Sequence, residues 1–221
     1  MTSTKLMRCV VLLSGGGTTL QNLIDQQEQE KCPIEIVLVI SSHKEAFGLE
    51  RARKHNLPAR AIHRKDYATW EAFNQDIVQA VEDVKPDLIL LAGFMFLFRP
   101  GPEYHGRIMN VHPALIPAFC GKGMYGHHVH EAVLEYGVKV TGATVHFVDE
   151  GYDTGPIILQ KAVEVYDDDT PDTLAARVQA AEREIYPEAI RLFAANRLRV
   201  EGRFDQHAVH AEQANQVHAD L

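Results

Sequence analysis

Five consecutive apolar residues, Cys9 to Leu13, run directly into Ser14-Gly15-Gly16-Gly17-Thr18-Thr19 and from there into a helical pattern over residues 19–29. A strand that is apolar at every position has no face to give to water, so it belongs inside a parallel sheet covered on both sides. The same alternation continues. Residues 34–40 read as the next strand, 46–55 as a helix, 61–62 as a short strand, 69–84 as a helix, and 87–91 as another wholly apolar strand. Strands alternating with helices in this way predict an α/β fold with a mostly parallel sheet flanked by helices.

The second half has a different texture. A strand over 107–111 ends at Pro113, which cannot continue a ladder. A long loop rich in glycine and aromatics follows, then extended runs over 139–148 and 156–165. In the first of these, Val145 and Phe147 face the core and Thr144 and His146 share the opposite side. Thr170-Pro171 makes a helix start, with the hydroxyl as N-cap and proline at the first helical position. Pro187 is expected to kink or split that helix. Residues 204–221 are polar and lack apolar periodicity, and read as a mobile tail or a surface-docked helix. The expected organisation is therefore one domain over 1–203 and a polar tail over 204–221.

The chain's 221 residues suffice for a self-supporting core, burying roughly 70% of the unfolded surface. No apolar run is long enough for a bilayer span, and the first residues do not read as a signal sequence. Cys9, Cys32 and Cys120 are odd in number and widely spaced, which fits reduced thiols and a cytoplasmic location. The net charge of -8 argues against broad affinity for nucleic acid or anionic membrane. His127, His128 and His130 lack a supporting Cys or acidic ligand, so no metal is expected there and these rings are expected to face water.

Two constellations carry chemistry. The glycine loop lies between a strand and a helix, where free backbone N–H groups and the helix dipole make an anion site. It lacks the lysine of a P-loop, and Leu20 and Ser41-Ser42 stand where a dinucleotide fingerprint needs a glycine and an acid. A monophosphate is the economical ligand, against the plainer reading of a tight turn. The second constellation is Asn110-Val111-His112-Pro113 with Asp153-Thr154-Gly155-Pro156. Residues two apart on a strand point the same way. Asn110 and His112 are thus presented together, and an amide, an imidazole and a carboxylate can polarise a carbonyl, move a proton and orient the proton mover.

Six ordered blocks resemble the glycinamide ribonucleotide formyltransferases: Val11 to Gln21, Ala46 to Ala52, Leu91-Ala92-Gly93-Phe94-Met95, Asn110 to Pro113, Val140 to Val148, and Asp153 to Ile158. The resemblance implies the Rossmann-like formyltransferase fold, extended by C-terminal strands. It also implies transfer of a formyl group from 10-formyltetrahydrofolate, as co-substrate, to the amine of 5-phosphoribosylglycinamide in purine biosynthesis, without metal. Carried over by motif, Asn110 and His112 would stabilise the tetrahedral intermediate and Asp153 would tune His112, favouring its charged form. Gly17, Thr18 and Thr19 would hold the substrate phosphate, and Glu182 with Gln179 would meet the ribose. Met95, Phe96, Leu97, Phe98, Asn110 and Asp149 would contact the folate, with Thr144 and His146 in support. Thr19, Phe96 and Trp70 stand where familiar relatives carry Asn, Arg and Arg.

Other amine acceptors, such as initiator methionyl-tRNA or an amino sugar, and hydrolysis of formyl-folate are rivals within the same superfamily. The tRNA enzyme usually adds a C-terminal domain and the hydrolase an N-terminal one, and a chain of 221 residues is expected to hold neither. A binding module without catalysis and a dehydrogenase are rivals from other classes, disfavoured by the intact triad and the failed fingerprint. Expected partners are the two small molecules alone, with neither nucleic acid nor membrane; a homodimer is left open.

Overall fold

The computed structural model describes residues 6–201 and 208–211. In chain order the elements are β1 (Met7–Leu13), α1 (Thr18–Glu28), β2 (Ile34–Ser41), α2 (Phe47–Lys54), β3 (Ala59–Ala61), α3 (Trp70–Val84), β4 (Leu88–Leu91), β5 (Ile108–His112), α4 (His127–Tyr136), β6 (Val140–Phe147), β7 (Ile157–Glu164), α5 (Pro171–Ala194), β8 (Leu198–Glu201) and β9 (Ala208–Ala211). Seven strands form one sheet in the order β3-β2-β1-β4-β5-β6-β7. The pairs from β3 to β5 are parallel, whereas β6 runs antiparallel to both β5 and β7.

The unbroken apolar strands are explained by two cores. Along β1, Cys9, Val11 and Leu13 enter one hydrophobic cluster with Leu20 of α1, Leu49 of α2, Val133 of α4 and Val178 of α5. Val10 and Leu12 enter another with Phe73, Ile77 and Val81 of α3. Opposite pleats of the same strand thus feed opposite faces of the sheet.

Chain order reverses direction at β1. The chain steps outward from β1 to β2 and β3, then returns to lay β4 on the other side of β1. At such a switch point the connections leave in opposite directions and open a crevice at the strands' carboxyl ends.

Three expectations are corrected. Pro187 does not split α5, which is continuous from Pro171 to Ala194. Its missing N–H leaves the Arg183 carbonyl without its helical donor, and Asn22 Nδ2 of α1 donates to that carbonyl at 3.0 Å instead. The glycine-rich loop contains α4, ended by Gly137 in the left-handed region at φ 80°. Ala208–Ala211 is neither free tail nor helix: it pairs antiparallel with β8. The remainder of 204–221 lies outside the described residues. The side of β6 that carries Thr144 and His146 is buried as well, because the loops after β5 and β6 fold over it.

Candidate active site

The loop after β1 is held close against α2. Gly17, at φ 68°, is the N-cap of α1. A Cβ on Gly17 would lie 2.6 Å from the Gly48 Cα, so only glycine lets the loop sit there. Arg51 of α2 fixes the outer side, donating from Nε to the Gly16 carbonyl at 2.9 Å. Gly15 and Gly16 face open space. No side chain caps α1 and no acid stands in its first turn. Its first N–H groups and dipole are thereby left facing the crevice.

A cross-brace ties the neighbouring strand ends. Ser14 donates its N–H to the Gly93 carbonyl, and its Oγ accepts from Met95 N–H at 3.0 Å and from Ser42 Oγ–H at 2.7 Å. The segment after β4 is anchored from α3, where Trp70 Nε1–H donates to the Leu97 carbonyl and Asn74 exchanges two hydrogen bonds with the Arg99 backbone. Arg99 then reaches across to Glu150, pairing with its carboxylate at 3.0 Å and its carbonyl at 2.7 Å.

Asp153 is the hub on the opposite wall. It adopts φ 56°, a left-handed conformation that aspartate tolerates better than most residues. Gly155 beside it has no room for a side chain, since a Cβ would fall 1.9 Å from the Phe147 carbonyl. Oδ2 accepts the Gly121 N–H at 3.0 Å and lies 3.5 Å from His112 Nδ1. Oδ1 lies 3.3 Å from Asn110 Nδ2 and 3.5 Å from His146 Nε2. Asn110 and His146 are direct cross-strand partners, with Asn110 Nδ2 3.1 Å from His146 Nε2. His146 Nδ1–H donates to the Phe147 carbonyl at 2.8 Å, which leaves Nε2 to accept from the amide.

His112 is only 3% exposed. Its Nε2–H donates to the Phe119 carbonyl at 2.8 Å, so the neutral ring presents the Nδ1 lone pair to Asp153. Burial lowers its pKa below the ordinary 6.5, against the opposing pull of Asp153 and the Phe119 hydrogen bond. Asp153 does favour the charged imidazole, as expected, but burial outweighs it and the net shift is downward. For Asp153, burial pushes upward, but His146, the His112 ring and the Gly121 N–H together hold the carboxyl below its usual value.

One cavity of ≈ 680 Å³ brings together Gly17, Thr18, Thr19, Met95, Phe96, Leu97, Phe98, Asn110, His112, His146, Asp153, Gln179 and Glu182. Burial pushes the Glu182 carboxyl up to about 7, with Arg183 opposing. Two expected residues stand behind the lining. Thr144 Oγ1–H donates to the Ala114 carbonyl at 2.6 Å and its oxygen accepts from the Ile116 N–H, shaping the turn after β5. Asp149 Oδ1 accepts from Gly151 N–H and Thr154 Oγ1–H, shaping the loop that carries Asp153.

The sequence reading missed His130, which lines the cavity from α4 and is buried at 4% exposure. The signal available was Val129 and Val133, four apart and ahead of Gly137, which marks a short helix with a buried face.

A doubly wound sheet with a glycine loop and an uncapped helix start on one side of its crevice, and an amide, an imidazole and a carboxylate on the other, fits a transferase. The formyl transferase family matches residues 7–190. The chain is 38% identical over 196 residues to phosphoribosylglycinamide formyltransferase of Escherichia coli (strain K12), covering 88% of this chain and 90% of that protein. It is 42% identical over 199 residues to the trifunctional purine biosynthetic protein adenosine-3 of Bos taurus, covering 89% of this chain. It spans only 18–19% of the length of such vertebrate trifunctional relatives. Glycinamide ribonucleotide transformylase 1 from Symbiobacterium toebii superposes with a TM-score of 0.85 at 42% identity, with 95% of each chain covered. This chain belongs to the formyl transferase family.

Proposed function

We propose that this chain transfers the formyl group of 10-formyltetrahydrofolate to the primary amine of 5-phosphoribosylglycinamide, by direct attack and without metal, in the cytoplasm. The observation that carries the reading is the meeting of Asn110, His112 and Asp153 in the cavity that the glycine loop also lines. The phosphate lies against the N–H groups of Gly17, Thr18 and Thr19, and the ribose lies along Gln179 and Glu182. The pterin occupies the apolar lobe formed by Met95, Phe96, Leu97 and Phe98.

The amine nitrogen attacks the formyl carbon, and the carbonyl π pair moves onto oxygen. Asn110 Nδ2, at the end of β5, turns one N–H from its 3.3 Å contact with Asp153 Oδ1 onto that developing oxyanion and keeps the other on His146. His112 takes the proton that the attacking nitrogen must lose, and Asp153 Oδ2, 3.5 Å from Nδ1, stabilises the imidazolium so formed. Breakage of the bond between the formyl carbon and the folate nitrogen then returns this proton to the leaving nitrogen, giving the formamide and tetrahydrofolate. A lowered His112 pKa favours the neutral imidazole that this first proton transfer needs.

The test is consumption of formyl-folate followed by absorbance, with and without the ribonucleotide. Turnover that depends on the ribonucleotide is expected. Consumption in its absence would assign the site to hydrolysis instead.

A further inference from the structure

A planar trans peptide points its carbonyl and the next residue's N–H in opposite directions. The peptides of the glycine loop are trans. The direction of each carbonyl there fixes where the following N–H points.

Helix α2 captures two of those carbonyls. The Gly48 N–H donates to the Gly15 carbonyl at 3.1 Å, and Arg51 Nε–H donates to the Gly16 carbonyl at 2.9 Å. Both carbonyls thus turn toward α2, and the N–H groups of Gly16 and Gly17 turn the other way. Gly15, Gly16 and Gly17 also line the cavity, so the side away from α2 is the crevice. Gly17, at φ 68° and ψ 32°, is left-handed and is followed by the helical Thr18. Successive residues of opposite hand draw their N–H groups into one concave nest, a geometry that holds anions.

Arg51 is itself held in place. Its Nη1–H donates to Gln21 Oε1 of α1 at 3.2 Å, and its guanidinium carbon lies 4.9 Å from the centroid of the Phe47 ring. These partners and the Gly16 carbonyl are all neutral, so none of them cancels the guanidinium charge behind the loop.

We infer that Arg51 is a positioning residue for the phosphorylated acceptor: it orients the Gly16–Gly17 peptide so that the Gly17 N–H points at the phosphate beside those of Thr18 and Thr19. The Gly16 N–H, aimed by the Gly48 contact, is a further donor to the same anion. This deepens the phosphate placement proposed above and rests on it. Glycine has no side chain to oppose rotation of the peptide. Without the Arg51 donor the Gly16 carbonyl is free to swing into the crevice, where its oxygen repels the phosphate that the N–H attracted. Arg51 lies behind the loop, outside the cavity lining, so its loss acts on acceptor binding and not on the chemical step.

The experiment measures kcat and both KM values for the wild-type chain, Arg51→Met and Arg51→Lys, and follows the backbone 15N–1H signals during titration with inorganic phosphate. Arg51→Met is expected to raise the ribonucleotide KM tenfold or more, while kcat at saturation and the formyl-folate KM move less than twofold. Arg51→Lys keeps a donor and a charge and should recover part of the loss. Phosphate should shift the Gly16, Gly17, Thr18 and Thr19 amides of the wild-type chain. In Arg51→Met the Gly17 response should be lost, whereas Gly16, whose peptide is held by Gly48, should keep its own. An unchanged ribonucleotide KM in Arg51→Met, or equal losses in kcat and both KM values, overturns the inference. Should Arg51→Met not fold, the wild-type titration decides: shifts at Thr18 and Thr19 without one at Gly17 overturn it. No shift at any of the four amides overturns the phosphate placement and the inference together. A wild-type chain that shows the four shifts but no ribonucleotide-dependent turnover overturns the proposed reaction alone, and the phosphate titration of Arg51→Met then decides the inference.

Discussion

At the scale of single residues, Asp153 joins groups that are far apart in sequence. Its two oxygens face His112 on one side and Asn110 with His146 on the other, and it also takes the Gly121 N–H. Asp153→Asn and His112→Ala should each lower kcat by roughly a hundredfold or more, with the thermal midpoint of each variant checking that the fold survives. Because burial depresses the His112 pKa, the neutral form persists below pH 6.5, and the acid limb of kcat/KM should fall on the acid side of that value. Glu182 gives the opposite sign. Its folded pKa of about 7 lies above its unfolded value, so stability falls as pH rises from the unfolded value through 7. Glu182→Gln should therefore stabilise the free protein by about 1–2 kcal/mol at pH 8 and little at pH 5, as urea midpoints would show; the full shift is discounted because the cavity admits water. That Asn110, His112 and Asp153 come together was legible from spacing and chemistry. The downward shift of the His112 pKa was not, since desolvation depends on loops whose packing no local pattern encodes.

At the scale of elements, the strands of the parallel half were legible because two-sided burial writes an unbroken apolar run. Helix α4 was hidden: the glycines of 121–126 and the histidines at 127, 128 and 130 read as a solvated loop, whereas the inward face is carried by Val129, His130 and Val133. Strand β9 had no apolar signature, and its partner β8 offers only Leu198 and Val200. Pro187 shows tertiary context overriding a local rule, through the Asn22 side chain. Asn22→Ala should cost about 0.5–1 kcal/mol in a urea titration, because that hydrogen bond is exposed. Gly155→Ala should be far more damaging. A Cβ 1.9 Å from the Phe147 carbonyl cannot be accommodated without moving the loop, so turnover should fall at least as far as in Asp153→Asn.

At the scale of the whole molecule, a net charge of -8 surrounds a site proposed to take two anionic substrates. Local attraction comes from the glycine loop with the end of α1, from Arg51 against that loop and from Lys122 in the cavity lining, while the net charge repels. Raising ionic strength from about 10 to 150 mM shortens the Debye length from roughly 30 to 8 Å. This should raise kcat/KM for the ribonucleotide, whereas a steered, basic enzyme would show a fall. The brace at Ser14 has its own consequence at this scale. One hydroxyl binds the ends of β1, β2 and β4 together, and Trp70 and Asn74 pin the next segment to α3. The two walls of the crevice therefore differ in kind. The wall built on strand ends behaves as an anvil of fixed shape, and whatever yielding allows bulky substrates in and products out must come from the facing loops, which hang on the Gly121, Phe119 and Arg99 contacts.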